Sequence, residues 1–125
     1  MLLKSILFLA ITISFASEVK EITGTVERVI DGDTFILLTT DSTKLRIRLA
    51  GLDTPERGEP GADEATQFVI DQCLGREVRV EFKAFDKYSR VVGIVWVDTL
   101  NLNRAIIDKK LTKQKRNKNI SKQKD

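Results

Sequence analysis

Two short apolar-alternating runs, Phe35 to Leu38 and Leu45 to Leu52, are bracketed by three polar clusters: Asp31-Gly32-Asp33-Thr34, Arg46-Ile47-Arg48 and Asp53-Thr54-Pro55-Glu56. Alternation at a period of two marks a strand with one buried face. Paired as an antiparallel hairpin, the runs bring Asp33, at the start of the first, close to Asp53, at the end of the second. Arg48 precedes Asp53 by five residues and Glu56 follows it by three. Whatever fold the chain adopts must hold these charged ends together.

Two absences narrow the chemistry that such a cluster can perform. The chain has no histidine, which removes every mechanism with an imidazole base or ligand. It has one cysteine, so it forms no intrachain disulfide and no thiolate zinc cluster. A metal site must then be built from oxygen, which suits Ca²⁺ or Mg²⁺. Asp33 and Asp53 offer carboxylates, and the backbone carbonyl of Thr54 offers a third oxygen. Glu56, beside the ion but not spent on it, is a candidate base for a water's proton. Arg48 and Arg90 offer planar forks that grip phosphate oxygens bidentately, as lysine cannot. Lys87 and Tyr88 are placed to touch a neighbouring phosphate or stack on a base, although an exposed turn is the plainer reading of both. Together these residues read as a calcium-dependent phosphodiesterase acting on nucleic acid.

At 125 residues the chain fits one small domain with short appendages. Its charge is divided. Residues 109–125 carry eight Lys/Arg against one acid, whereas residues 17–108 carry twelve against seventeen. The folded part is therefore mildly acidic, and a few placed arginines must do what a basic face would otherwise do.

Residues 1–16 read as a secretory signal: Lys4, an apolar stretch from Ile6 to Ile13, and Ser14-Phe15-Ala16 for cleavage. That stretch is too short for a span of roughly 20 apolar residues. The expectation is export to the periplasm or beyond, with no membrane span after removal of the leader. Val19 to Ile30 reads as a first strand, with Asp31-Gly32 as a tight turn in which glycine accepts positive φ. Thr34 to Leu38 and Lys44 to Leu52 are the second and third strands, and Pro55 ends the third. In the third, Leu45, Ile47 and Leu49 share one face, and Arg46 on the other is simply solvated. Glu59 is a solvated loop residue. Asp63 is placed to cap a helix running to about Cys73, which Gly75 stops, with Cys73 a buried, inert thiol. Glu77 to Phe85 and Val91 to Val97 are the fourth and fifth strands, and Leu102, Ala105, Ile106 and Leu111 fit a second helix. The fold class is mainly β with helices (α+β): a five-stranded barrel of the oligonucleotide-binding type (OB-fold) with two helices. The expected domain spans 17–111, and 112–125 is a basic, disordered tail.

Val29-Ile30-Asp31-Gly32-Asp33-Thr34, Arg48-Leu49 with Asp53-Thr54-Pro55-Glu56, and Asp86-Lys87-Tyr88 with Arg90 together resemble the staphylococcal nuclease (thermonuclease) family over roughly residues 20–107. The resemblance implies an OB-fold barrel and Ca²⁺-dependent cleavage of DNA and RNA to 3′-phosphate products. By position it implies Asp33, Asp53 and Thr54 as calcium ligands, Arg48, Glu56 and Arg90 as catalytic residues, and Lys87 and Tyr88 as phosphate contacts. The protein is expected to act as a monomer. Ser89 stands where the family usually has glycine, and the family's third, C-terminal helix has no counterpart after the second. Two other readings fit the same residues: an inactive nucleic-acid-binding module on the same barrel, and a truncated remnant of such a nuclease.

Overall fold

The computed structural model describes residues 20–113, so the expected leader and all of the basic tail beyond Lys113 lie outside it. Eight elements follow in order: β1 (Glu21–Asp31), β2 (Thr34–Thr39), β3 (Lys44–Leu49), α1 (Ala62–Cys73), β4 (Glu77–Phe85), β5 (Val91–Val97), β6 (Leu100–Asn101) and α2 (Leu102–Asp108). The sheet order is β3-β2-β1-β4-β5-β6. A parallel ladder between β3 and β5, pairing Ile47 with Val91 and Arg48 with Val92, closes strands β1 to β5 into a barrel. This is the expected OB-type α+β fold, with two helices against it and a two-residue sixth strand that the apolar pattern is too short to announce.

β1 is long because it serves two partners, β2 along one part and β4 along the other. Register shifts after Val26 and after Val29 bend it between them, as bulges do in barrels. Inward positions of the barrel, among them Val26, Phe35, Leu37, Ile47, Val80 and Val95, are completely buried. Val69 and Cys73 of α1 and Leu102 and Ile106 of α2 complete that core. Burial pushes the Cys73 thiol up to about 12, so it is un-ionised at any ordinary pH, as its apolar helix face implied. Among the described residues no helix is long and apolar enough to cross a membrane.

Five local expectations are corrected. The tight turn is Gly32-Asp33, with Asp31 paired to Thr34, one residue later than expected. Gly32 does not adopt positive φ. It is required for closeness, since a Cβ there would lie 2.7 Å from the Ala65 Cβ and 2.9 Å from the Thr54 Oγ1. β3 ends at Leu49 rather than Leu52, because the chain turns through Gly51 at φ 76° well before Pro55. The helix α1 has Gly61 at its N-cap in a left-handed conformation, and Asp63 lies inside the first turn, where its charge suits the helix dipole without capping it. Finally, α2 ends at Asp108. Lys110 at φ 59° then folds the chain back, so that Leu111 donates its N–H to the Ile106 carbonyl at 3.1 Å and packs against the core.

Candidate active site

The Gly32-Asp33 turn joins β1 to β2 and delivers Asp33 into a nearly closed environment, 8% exposed. Its N–H donates to Asp31 Oδ1 at 3.0 Å, and its carbonyl accepts the Leu49 N–H at 2.8 Å. Its carboxylate accepts the Thr34 hydroxyl at Oδ1 and the Thr54 N–H at Oδ2, each at 3.0 Å. Burial works against the charge on Asp33. Hydrogen bonding with Asp31, the Thr54 amide, the Arg48 charge and the Thr34 hydroxyl outweigh it and hold the carboxyl below its usual range. Asp31 moves the other way, raised by burial and by its bond to Asp33. The Thr54 bond also pins the loop that follows β3, twenty-one residues further on in sequence.

Arg48 is the junction. Across the β2–β3 ladder it faces Thr34, so its guanidinium lies over the Asp33 turn. Nη1 stands 3.3 Å from Asp33 Oδ2 and donates to the carbonyls of Leu49 (3.1 Å) and Leu52 (2.9 Å), while Nη2 pairs with Asp53 Oδ1. One fork thus gathers two carboxylates, one buried and one 73% exposed. The hairpin expectation that Asp33 and Asp53 meet is realised through this guanidinium.

Arg90 precedes β5. It is two residues before Val92, which sits across from Arg48 in the β3–β5 ladder. Its Nε donates to Asp86 Oδ2 at 2.6 Å, and Asp86 Oδ1 accepts the N–H groups of Tyr88 and Arg90, each at 2.9 Å. Desolvation opposes the Asp86 charge, but those bonds to Arg90 and Tyr88 prevail and hold its carboxyl below the ordinary range. The Arg90 guanidinium lies 5.3 Å from the centroid of the Tyr88 ring and the Lys87 ammonium 5.1 Å from it. Tyr88 itself is exposed, open to a phosphate or a base. The sequence offers Asp86 only as part of the Asp86-Lys87-Tyr88 motif, with no role of its own; that it orients Arg90 is seen in the structure.

Glu56 stands apart from these groups, with no described contact to Asp33, Asp53 or either arginine. Its N–H donates to Glu59 Oε1 at 3.1 Å, and its carboxylate pairs with the Lys113 ammonium at 3.4 Å. Glu59 is exposed, as expected, and in addition organises the loop through these bonds. Lys113, assigned from sequence to a disordered tail, is fastened to the domain by its own N–H, which donates to the Asp53 carbonyl at 2.8 Å. Only the contact of a residue so far along the chain reveals this, and no local pattern carries it.

Among the described residues no three carboxylates or thiols stand close enough to form a ready metal cluster. The oxygen donors nonetheless fit a hard cation in kind. Asp33 and Asp53 converge on one positive group, and Thr54, whose buried Oγ1 has no hydrogen-bond partner, follows Asp53 directly. Two protein carboxylates with a backbone carbonyl, completed by water, is a donor set of the type calcium takes.

Comparison with known proteins bears on the same residues. A family model described as staphylococcal nuclease homologue matches residues 46–125, which include every candidate site residue except Asp33. Protein ParB of Escherichia coli is 34% identical over 97 residues, 78% of this chain and 54% of that protein. The micrococcal nuclease of Shigella flexneri is 40% identical over 73 residues, 58% of this chain and 41% of that protein. The thermonuclease of Staphylococcus hyicus is 33% identical over 106 residues, 78% of this chain and 59% of that protein. The chain spans about half the length of the curated relatives it matches.

Proposed function

The chain belongs to the staphylococcal nuclease family, and from that premise we propose that it is an exported, calcium-dependent nuclease that hydrolyses phosphodiester bonds of DNA and RNA. The observation that carries the reading is Arg48 holding Asp33 and Asp53 on one guanidinium. A phosphate-binding fork and two hard-cation ligands at one end of a barrel are the parts such a reaction needs.

Asp33, Asp53 and the Thr54 carbonyl would hold calcium, which would supply positive charge against a phosphate oxygen. The remaining work falls to the chain's own side chains. Arg48 and Arg90 bind the non-bridging phosphate oxygens, and their hydrogen bonds strengthen as charge builds there in the transition state. Asp86 keeps the Arg90 fork aimed, so little reorganisation is needed as substrate arrives. Glu56 takes the proton of the attacking water. The water oxygen bonds to phosphorus, the 5′ P–O bond breaks, and the departing 5′ oxygen is protonated from solvent, leaving a 3′-phosphate. Lys87 and Tyr88 hold the neighbouring phosphate or stack on its base.

The test is cleavage of single-stranded DNA by the full chain with Ca²⁺ and with EGTA, beside Glu56→Gln and Arg90→Ala, with analysis of the product ends. Calcium-dependent release of 3′-phosphates, lowered on the order of 10² or more in each variant, is expected. Activity indifferent to EGTA, or unchanged in both variants, refutes the mechanism.

A further inference from the structure

We propose that Lys113 is a positioning residue: it ties the loop bearing Asp53, Thr54 and Glu56 to the end of α2 and fixes the direction of the Glu56 carboxylate. The proposal rests on the reading of Glu56 as the base.

The segment from Gly51 to Gly61 contains no regular element, so its conformation depends on individual bonds. Its first half is pinned by the Thr54 N–H on Asp33. Its second half closes on itself, the Glu59 N–H donating to the Glu56 carbonyl at 2.8 Å and the Glu56 N–H returning to Glu59 Oε1 at 3.1 Å. That small turn, however, floats at the surface. The Glu56 side chain is 79% exposed and, alone, would sample many rotamers. A base must sit within hydrogen-bond reach of its water, so the turn needs an anchor outside itself.

Lys113 is that anchor on two levels. Its backbone N–H binds the Asp53 carbonyl at 2.8 Å, and its ammonium lies 3.4 Å from both Glu56 Oε1 and Glu59 Oε1. A compact charge with three donors suits a bridge between two carboxylates. The anchor is itself firmly rooted, because Leu111, two residues earlier, packs on the core and bonds to α2. Among the described residues no hydrogen bond engages Glu56 Oε2, so the bridge restrains the carboxylate by one oxygen and leaves the other to receive a proton.

The experiment uses the full chain with Ca²⁺ and single-stranded DNA, comparing wild type, Lys113→Met, Lys113→Arg, Glu59→Gln and the Lys113→Met/Glu59→Gln double variant. Steady-state kinetics are paired with hydrogen exchange of the Glu56 amide. Lys113→Met is expected to lower kcat about fivefold with KM within about twofold, at the upper end of what an exposed pair contributes. Lys113→Arg restores most of the loss, the double variant is no worse than the poorer single, and Glu56 amide exchange accelerates in Lys113→Met while barrel amides do not change. An unchanged kcat, a loss carried by KM, or no rescue by arginine overturns the proposal. A wild type that cleaves nothing yet protects the Glu56 amide overturns the nuclease reading instead. An active wild type whose Glu56 amide exchanges equally fast in Lys113→Met overturns the tether.

Discussion

Thr34 and Arg48 stand directly opposite each other in the β2–β3 ladder, and that one register step is why Arg48 reaches Asp33. A strand slipped by a single residue would send the guanidinium to the other face. Leu45, Ile47 and Leu49 forbid the slip, since it would expose the apolar half of β3.

Arg48→Met should therefore be felt twice. Asp33 loses its nearest counter-charge, and the Leu49 and Leu52 carbonyls lose their donor. The expected loss is about 1–3 kcal/mol in urea unfolding. Turnover should fall on the order of 10² or more. Arg48→Lys should recover part of the stability but little of the turnover, because an ammonium cannot serve both carboxylates and both carbonyls. Equal recovery of both would separate Arg48 from phosphate binding.

Gly32→Ala is a test of closeness rather than of backbone conformation. The added methyl meets the Ala65 Cβ at 2.7 Å and the Thr54 Oγ1 at 2.9 Å, so either α1 or the Thr54 loop must retreat. A destabilisation of about 1–3 kcal/mol is expected. Removing the opposing methyl in Gly32→Ala/Ala65→Gly should cost less than the two single changes added together, measured as a double-mutant cycle. Strict additivity would mean the crowding is elsewhere.

Ser89 occupies φ 60°, the left-handed region, in the turn that carries Lys87, Tyr88 and Arg90. This explains why a glycine is usual at that place in the family. Ser89→Gly should stabilise the domain by about 0.5–1 kcal/mol, because the strain of a Cβ at positive φ is removed. A thermal midpoint unchanged or lowered would show that serine makes good the strain by another contact.

The barrel was readable in the sequence because β4 alternates cleanly and β5 is a short apolar run bounded by polar residues; both were placed to the residue. The site was half readable. Asp33, Arg48 and Asp53 lie at the ends of one hairpin, where spacing alone predicts proximity, and they are found together. The docking of Lys113 onto Glu56 and Glu59 was missed because the two segments meet only across a chain reversal after α2, invisible to any local pattern. Gly32 was read as a turn glycine at positive φ, whereas its close approach to Ala65 is what demands it, since the composition of a turn does not reveal what a helix thirty residues later will press against it.

The Asp86–Arg90 pair gives a pH dependence of definite sign. Asp86 is held below the ordinary carboxylate value of about 3.9 in the folded protein. Its contribution is therefore complete above that value and is lost as pH falls through the lower, folded-state one. Asp86→Asn should flatten the acid limb of the stability profile in that window. At neutral pH it should also weaken turnover by freeing Arg90. An acid limb as steep as that of wild type would mean that other carboxylates carry it.

Asn103 is 5% exposed and uses its amide fully: Nδ2 donates to the carbonyls of Ala50 (3.0 Å) and Gly93 (3.1 Å), and Oδ1 accepts the Val95 N–H at 2.9 Å. These three bonds fasten α2 to β5 and to the turn that leads from β3 into the Asp53 loop. Asn103→Ala opens a cavity and leaves a buried N–H unpaired, whereas Asn103→Leu fills the space and leaves the same N–H unpaired. If the bonds dominate, both variants lose about 2–3 kcal/mol, which in a domain of this size lowers the thermal midpoint by roughly 10–20 °C. If packing dominates, leucine recovers most of the loss and alanine does not. The first outcome is expected, because the unpaired Val95 N–H lies in the buried centre of β5, where losing its partner is costly.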